Sequence, residues 1–160
     1  MSKAERYVEG WLRHRSVLVE LLERVPEGNI GFKPWAGAKG LGDLALHVCT
    51  AGQMWVGAVS TGHFVRPSKL ETPESMAGLC TRVRELTKQT QDNLLALTDA
   101  QIEATVDGAP IFGFALPGSA WLTAMREHEI HHKGQLFVYA RMTGAPEVPF
   151  FVRPAGTVRF

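Results

Sequence analysis

Residues 119–143, SAWLTAMREHEIHHKGQLFVYARMT, carry the pattern on which the fold prediction rests. Bulky apolar residues and two histidines recur at helical spacing and define one face of a long helix. This face consists of Trp121, Met125, His128, His132, Leu136 and Tyr139. Ser119 is the expected N-cap, and Gly144 followed by Pro146 ends the helix in the usual order.

Three further segments show the same periodicity and predict helices over residues 3–25, 41–60 and 73–97. Thr72 is the expected N-cap of the third helix, and Pro73 suits its first position. Four long amphipathic helices predict an all-α four-helix bundle, formed by a single domain that covers residues 1–160. The second and third connections are long enough to run along the bundle, so a strict up-down-up-down topology does not follow.

Composition and charge exclude several classes of protein. The 160 residues include 17 Lys and Arg against 16 Asp and Glu, so the chain lacks the basic excess of a nucleic-acid binder. No apolar run is long enough for a membrane span, and the N-terminus does not resemble a signal peptide. Cys49 and Cys80 cannot build a disulfide framework, which favours a reducing compartment. We therefore expect a cytoplasmic protein that binds neither nucleic acid nor membranes.

Two segments lack a helical period. Residues 99–118 place large apolar side chains among Gly and Pro, which is typical of short strands or of a flap over one end of the helices. Residues 146–160 form an apolar tail that includes Phe150, Phe151 and Phe160. We expect this tail to pack on the body of the protein or on a partner.

Histidines on two different helices indicate a metal site. His128 and His132 are four residues apart, so their side chains leave one helix face with Cβ atoms about 5–6 Å apart. A shared metal would satisfy both inward-facing rings, whereas helix backbone is already paired and cannot. His47 lies on the apolar face of the second helix, between Leu44 and Ala51. The ligands His47, His128 and His132 would leave one coordination position open, as in catalytic sites.

The polar residues around this pattern have other expected roles. Gln135 is placed to hydrogen-bond a ligand, although a solvent-facing Gln fits equally well. His128, Glu129 and His132 match the zinc-peptidase motif, but a suitable downstream ligand is lacking, which favours an exposed Glu129. The remaining histidines are not expected to be ligands. His14 is expected at an interior or boundary position and His63 at a helix end, and His131 either supports a ligand or lies at the surface.

Two stretches carry a family resemblance. One is DLALHV at residues 43–48, followed by Trp55 and then Thr61-Gly62; the other is EHEIHHKGQL at residues 127–136, which runs on to YARMTG at 139–144. With these motifs and with the order of its helices, the chain resembles the DinB/YfiT-like family of metalloenzymes over most of its length. The resemblance implies a four-helix bundle with a long crossover connection, commonly a homodimer. It also implies a divalent metal ion held by three histidines, here His47, His128 and His132.

The resemblance further implies a small-molecule substrate, because related activities are thiol-dependent: transfers of bacillithiol or similar low-molecular-weight thiols, and a mycothiol-dependent isomerisation. We therefore expect a metal-dependent enzyme with thiol S-transferase chemistry. Zinc is the expected metal, and nickel or iron also suits imidazole ligands. Two alternatives stay open, a metal-dependent hydrolase and a non-catalytic stress-response bundle that binds a metal or a small molecule. The sequence assigns no catalytic residue.

Overall fold

The computed structural model describes residues 1–158 and consists mainly of helices. The four long helices are α1 (Lys3–Arg24), α2 (Leu41–Thr61), α3 (Met76–Leu95) and α6 (Gly118–Met142). The connection from α3 to α6 contains α4 (Asp99–Glu103), β1 (Thr105–Asp107), α5 (Ala109–Phe112) and β2 (Ala115–Pro117). The predicted all-α bundle is confirmed. Within residues 1–158, no helix is both long and apolar enough to cross a lipid bilayer.

The long helices form a bundle in which α1 and α2 occupy opposite corners. Helix α1 packs mainly against α3 and α6, and α2 packs against the same two helices. Helices α1 and α6 run in the same direction, since Tyr7 contacts Ser119 and His14 contacts Lys133 further along both helices.

Helices α2 and α3 run in the direction opposite to α1 and α6. Along α2, His47 contacts His132 and Trp55 contacts the earlier His128. Along α3, the order relative to α1 is also reversed, with contacts to Glu23 preceding those to residue 15. Because α2 and α3 are parallel neighbours, residues 62–75 return along the bundle between them. This segment is the expected long crossover connection.

Helix α3 begins three residues after Pro73, the predicted first position. The hydroxyl of Ser75 caps the helix by accepting the backbone N–H of residue 78 at 3.0 Å. Glu27 adds a second cap, because its carboxylate accepts the N–H groups of the first two helical residues at 3.0 and 2.8 Å. Thr72 does not cap the helix and instead donates its hydroxyl to Asp43 at 2.5 Å.

The connection between α3 and α6 contains the short strands that the sequence suggested. Strands β1 and β2 pair antiparallel, with Val106 opposite Leu116. Trp121 of α6 packs beneath this hairpin and donates its indole N–H to the carbonyl of Val106 at 3.2 Å. Because β2 continues directly into α6, the helix starts at Gly118 and not after an N-cap at Ser119.

The apolar core has two halves along the bundle axis. One half contains Leu18, Leu44, Leu79 and Leu136, and the other contains Trp11, Trp55, Leu94 and Trp121. Between them lies a polar layer to which Arg15, Thr87 and Glu129 contribute buried side chains. The histidines of α2 and α6 lie near this layer, so the apolar halves hold the polar groups in place from both sides.

The tail after α6 folds back along α1. The backbone N–H of Arg153 donates to the carbonyl of Arg13 at 3.0 Å, and Nε of Arg13 donates to the carbonyl of Arg153 at 2.7 Å. Further on, the N–H of Gly156 donates to Glu9 at 2.9 Å. The expected packing of the tail on the body is thus confirmed, while Phe160 lies outside the described residues.

Candidate metal centre

Antiparallel packing of α2 against α6 brings three imidazoles together. His47, His128 and His132 each offer a ring nitrogen, and these nitrogens all lie within 4.8 Å of one another. Nε2 of His47 is 3.1 Å from Nε2 of His128. The ring centroid of His47 is 5.0 Å from that of His128 and 4.9 Å from that of His132. The structure therefore groups the three residues that the sequence selected, and all three are partly buried.

Gln135 fixes the tautomer of one ring. Nδ1 of His132 lies 2.6 Å from Oε1 of Gln135. Because an amide oxygen can only accept, Nδ1 of His132 donates and Nε2 keeps its lone pair. Histidines that ligate metals usually hold their second nitrogen in this way. Of the two roles that the sequence allowed, Gln135 thus has the one that orients a ring.

Burial keeps the three imidazoles neutral. Burial, followed by the charges of the neighbouring His132 and His47, lowers the pKa of His128 to about 3. Burial also lowers the pKa of His47 and of His132. Metals bind imidazole in its neutral form. The cluster is therefore in its ligand form at neutral pH.

The donor set suits a divalent metal ion. Tetrahedral ligands at about 2.0–2.1 Å from an ion lie about 3.3 Å from one another. The His47 and His128 nitrogens, 3.1 Å apart, are already close to that separation. Three imidazoles leave a further position open for water or substrate. The three-His cluster could thus hold a divalent metal ion, and imidazole ligands are compatible with zinc, nickel and iron alike.

A buried ion pair lies next to the cluster, between α1 and α6. Arg15 is 0% exposed and Glu129, the residue after His128, is 1% exposed. The Glu129 carboxylate accepts from Nε and Nη2 of Arg15 at 2.7 and 2.9 Å. It also accepts from the indole N–H of Trp11 at 2.6 Å. The prediction of an exposed Glu129 is wrong, because the carboxylate is needed to neutralise Arg15 inside the bundle.

The sequence did contain a signal for this pair. Arg15 follows Trp11 by four residues and precedes Leu18 by three, so it occupies the apolar stripe of α1. A charge in the core requires a partner of opposite sign, and a search for that partner among acidic residues at core positions would have led to Glu129.

The other histidines lie outside the cluster. Nδ1 of His14 is 2.8 Å from Nζ of Lys133, which also donates to the carbonyl of Phe151. Burial, with the positive charge of Lys133 next in size, lowers the pKa of His14 to about 4, so this ring is a neutral acceptor. His63 and His131 are exposed, as expected.

Aromatic side chains cover one side of the cluster. The Trp55 ring centroid lies 4.9 Å from that of His128, and Trp55 stacks on Phe112 at 6.1 Å. Phe112 also contacts Phe64 at 5.2 Å and Trp121 at 5.0 Å. Because Phe112 belongs to α5, the irregular connection between α3 and α6 supplies part of this wall. The wall shields His128 from water on that side.

The fold and the grouped histidines place this chain among helical bundles with a three-imidazole cluster. The sequence profile of the DinB family matches residues 1–154, and the chain belongs to this family.

Similar proteins come from Bacillus species. The uncharacterised protein YjoA of Bacillus subtilis (strain 168) is 31% identical over 151 residues, which cover 94% of this chain and 97% of that protein. The crystal structure of this DinB-like protein matches with a TM-score of 0.81 at 29% identity, covering 93% of this chain and 99% of the other. A DinB-like protein from Bacillus cereus ATCC 10987 matches with a TM-score of 0.74 at 22% identity, covering 91% and 97%, and supports the fold alone.

Proposed function

We propose that the protein is a metal-dependent enzyme that joins a whole low-molecular-weight thiol to an electrophilic substrate: the thiol loses its proton to solvent, and its sulfur bonds to the electrophilic centre. The observation that supports this proposal is the cluster of His47, His128 and His132, whose ring nitrogens lie within 4.8 Å of one another. A divalent ion held by imidazoles would supply one piece of chemistry, the stabilisation of the thiol in its reactive thiolate form. Zinc is the proposed metal.

The residues of the chain have distinct tasks in this proposal. His47 and His128 present neutral nitrogens because burial disfavours their protonation. Gln135 holds the ring of His132 so that Nε2 faces the shared position. Trp55 and Phe112 keep water away from one side, which strengthens electrostatic interactions inside the site.

The position of Glu129 bears on one form of the hydrolytic alternative, a peptidase-like mechanism. A peptidase-like mechanism would need Glu129 as a free general base. The carboxylate of Glu129 is instead held by Arg15 and Trp11 within the bundle. Glu129 thus has a structural role, and this argues against a peptidase-like mechanism that uses it as the base.

The test begins with elemental analysis of protein purified without an affinity tag. We expect one divalent ion per chain in the wild type and loss of that ion in His132→Ala. His131→Ala is the matched control, because it removes an adjacent exposed imidazole and should keep the metal. Unchanged metal content in His132→Ala would contradict the proposed site.

Activity is tested separately on the metal-loaded protein. Small thiols are combined with electrophiles, and loss of free thiol is followed for the wild type, His132→Ala and His131→Ala. We expect conjugation in the wild type and in His131→Ala only. Full metal loading without turnover of any thiol would favour the non-catalytic binding bundle.

A further inference from the structure

A cavity opens beside His47, on the side of α2 that faces the crossover segment. Its volume is about 280 Å³, slightly below the usual range for ligand pockets, so it suits a small group. Residues 67–70 of the crossover form one wall, and α2 forms the other with Leu46, His47 and Thr50. Anything that reaches the imidazole cluster through this cavity would pass His47.

The charged groups around this cavity are mainly basic. Lys39 and Lys69 contribute two ammonium groups, and Asp43 contributes one carboxylate. Asp43 already accepts a hydrogen bond from Thr72 at 2.5 Å. Within residues 1–158, no carboxylate lies within 4.0 Å of either lysine ammonium. The cavity therefore holds positive charge that the described residues do not neutralise.

Lys39 is held close to the histidines by the fold. Its carbonyl accepts the phenol hydroxyl of Tyr139 at 3.1 Å, which ties the loop before α2 to α6. Lys39 and His47 line the same cavity, so the ammonium group and one imidazole of the cluster face a common space. An anion seated at Lys39 would thus lie next to the imidazoles.

We propose that this cavity binds the carboxylate end of the thiol substrate, with Lys39 and Lys69 as counter-charges. The inference rests on the proposed function, because the sulfur of the same molecule would reach His47 and its partners. A carboxylate is an acceptor only, so it matches two ammonium groups and the nearby hydroxyl of Ser68. The substrate class is therefore a small thiol acid.

The experiment compares two thiols of similar size that differ in charge. Cobalt(II) is loaded into the protein, and its visible spectrum is titrated with 3-mercaptopropionate or with 2-mercaptoethanol. We expect the wild type to bind the acid about tenfold more tightly, since each exposed lysine contributes up to about fivefold. The double variant Lys39→Gln/Lys69→Gln should lose this preference. Lys88→Gln removes a positive charge from an exposed position on α3, and this variant should keep the preference for the acid.

A second measurement separates this inference from the metal proposal. NMR amide shifts are recorded for the zinc-treated protein with propionate and with 1-propanol. Shifts caused only by propionate, at residues 39–43 and 68–70 and absent in the double variant, support the carboxylate site even if cobalt does not bind.

The outcomes are then distinct. Normal cobalt binding with equal affinity for the two thiols would overturn the carboxylate site and leave the metal proposal intact. A preference that persists in the double variant would overturn it as well. Failure to bind cobalt would contradict the proposed function, and absence of propionate shifts in that case would also overturn the cavity assignment.

Discussion

The buried pair of Arg15 and Glu129 allows a quantitative test of how the bundle is held together. Glu129→Leu removes the carboxylate and leaves the guanidinium of Arg15, which is 0% exposed, without a counter-charge. Loss of one partner of a buried ion pair costs about 3–5 kcal/mol of unfolding free energy. Arg15→Met should cost a similar amount, because it leaves the carboxylate of Glu129 with only the indole of Trp11.

The double variant Arg15→Met/Glu129→Leu should be much more stable than the sum of the single losses predicts. Neither charge remains, and the remaining cost is mainly the unpaired N–H of Trp11, about 1–3 kcal/mol. Urea unfolding followed by circular dichroism, in the presence of a chelator, gives the four free energies of the cycle. We expect a coupling energy of about 3 kcal/mol or more.

The exposed pair of Arg82 and Glu85, 3.1 Å apart, provides the control cycle. Its coupling should stay below about 1 kcal/mol, because water screens both charges. Two results would show that the buried carboxylate does not neutralise Arg15: additive losses of unfolding free energy in the two single variants, or a coupling energy no larger than that of the control pair.

Three further predictions concern the site and its surroundings. Gln135→Ala should weaken zinc affinity about 10–100-fold in a competitive chelator titration, because His132 loses the acceptor that orients its ring; unchanged affinity would show that this hydrogen bond is incidental. His14→Gln should flatten the pH dependence of the free energy of unfolding of the metal-free protein. Unfolded His14 takes up a proton near pH 6.5 and the folded residue only near pH 4, so the wild type loses stability as the pH falls between these values. Parallel curves for variant and wild type would argue against a neutral buried ring. Gly108→Ala should lower the melting temperature measured by calorimetry, with a cost of about 1–3 kcal/mol, because its Cβ would lie 2.4 Å from Trp121; a wild-type melting temperature would mean that the hairpin shifts freely.

Local patterns carried most of the fold prediction. Apolar periodicity located all four long helices, because each helix must bury one face. The direction of packing was not predictable in the same way, because long connections permit several topologies. The start of α3 was missed for a related reason: its second cap is Glu27, which meets the helix only after the chain has folded.

In the candidate site, too, features set by local sequence were predictable and features set by the packing of helices were not. His128 and His132 lie one helical turn apart, so their proximity follows from local geometry, and the inward position of His47 indicated the third member. The pairing of Glu129 with Arg15 joins residues 114 positions apart in the chain. The charge was visible in the apolar stripe of α1, but its partner depended on which helices become neighbours.

The separation of the histidines along the chain sets an order of events during biosynthesis. His47 and His128 are 81 residues apart, and His128 belongs to α6, which follows the other three long helices along the chain. A nascent chain that ends before α6 contains only one of the three imidazoles, together with a bundle that lacks a corner. The complete ring cluster can therefore assemble only after α6 has been synthesised, and a cation that needs all three rings must be acquired after that point.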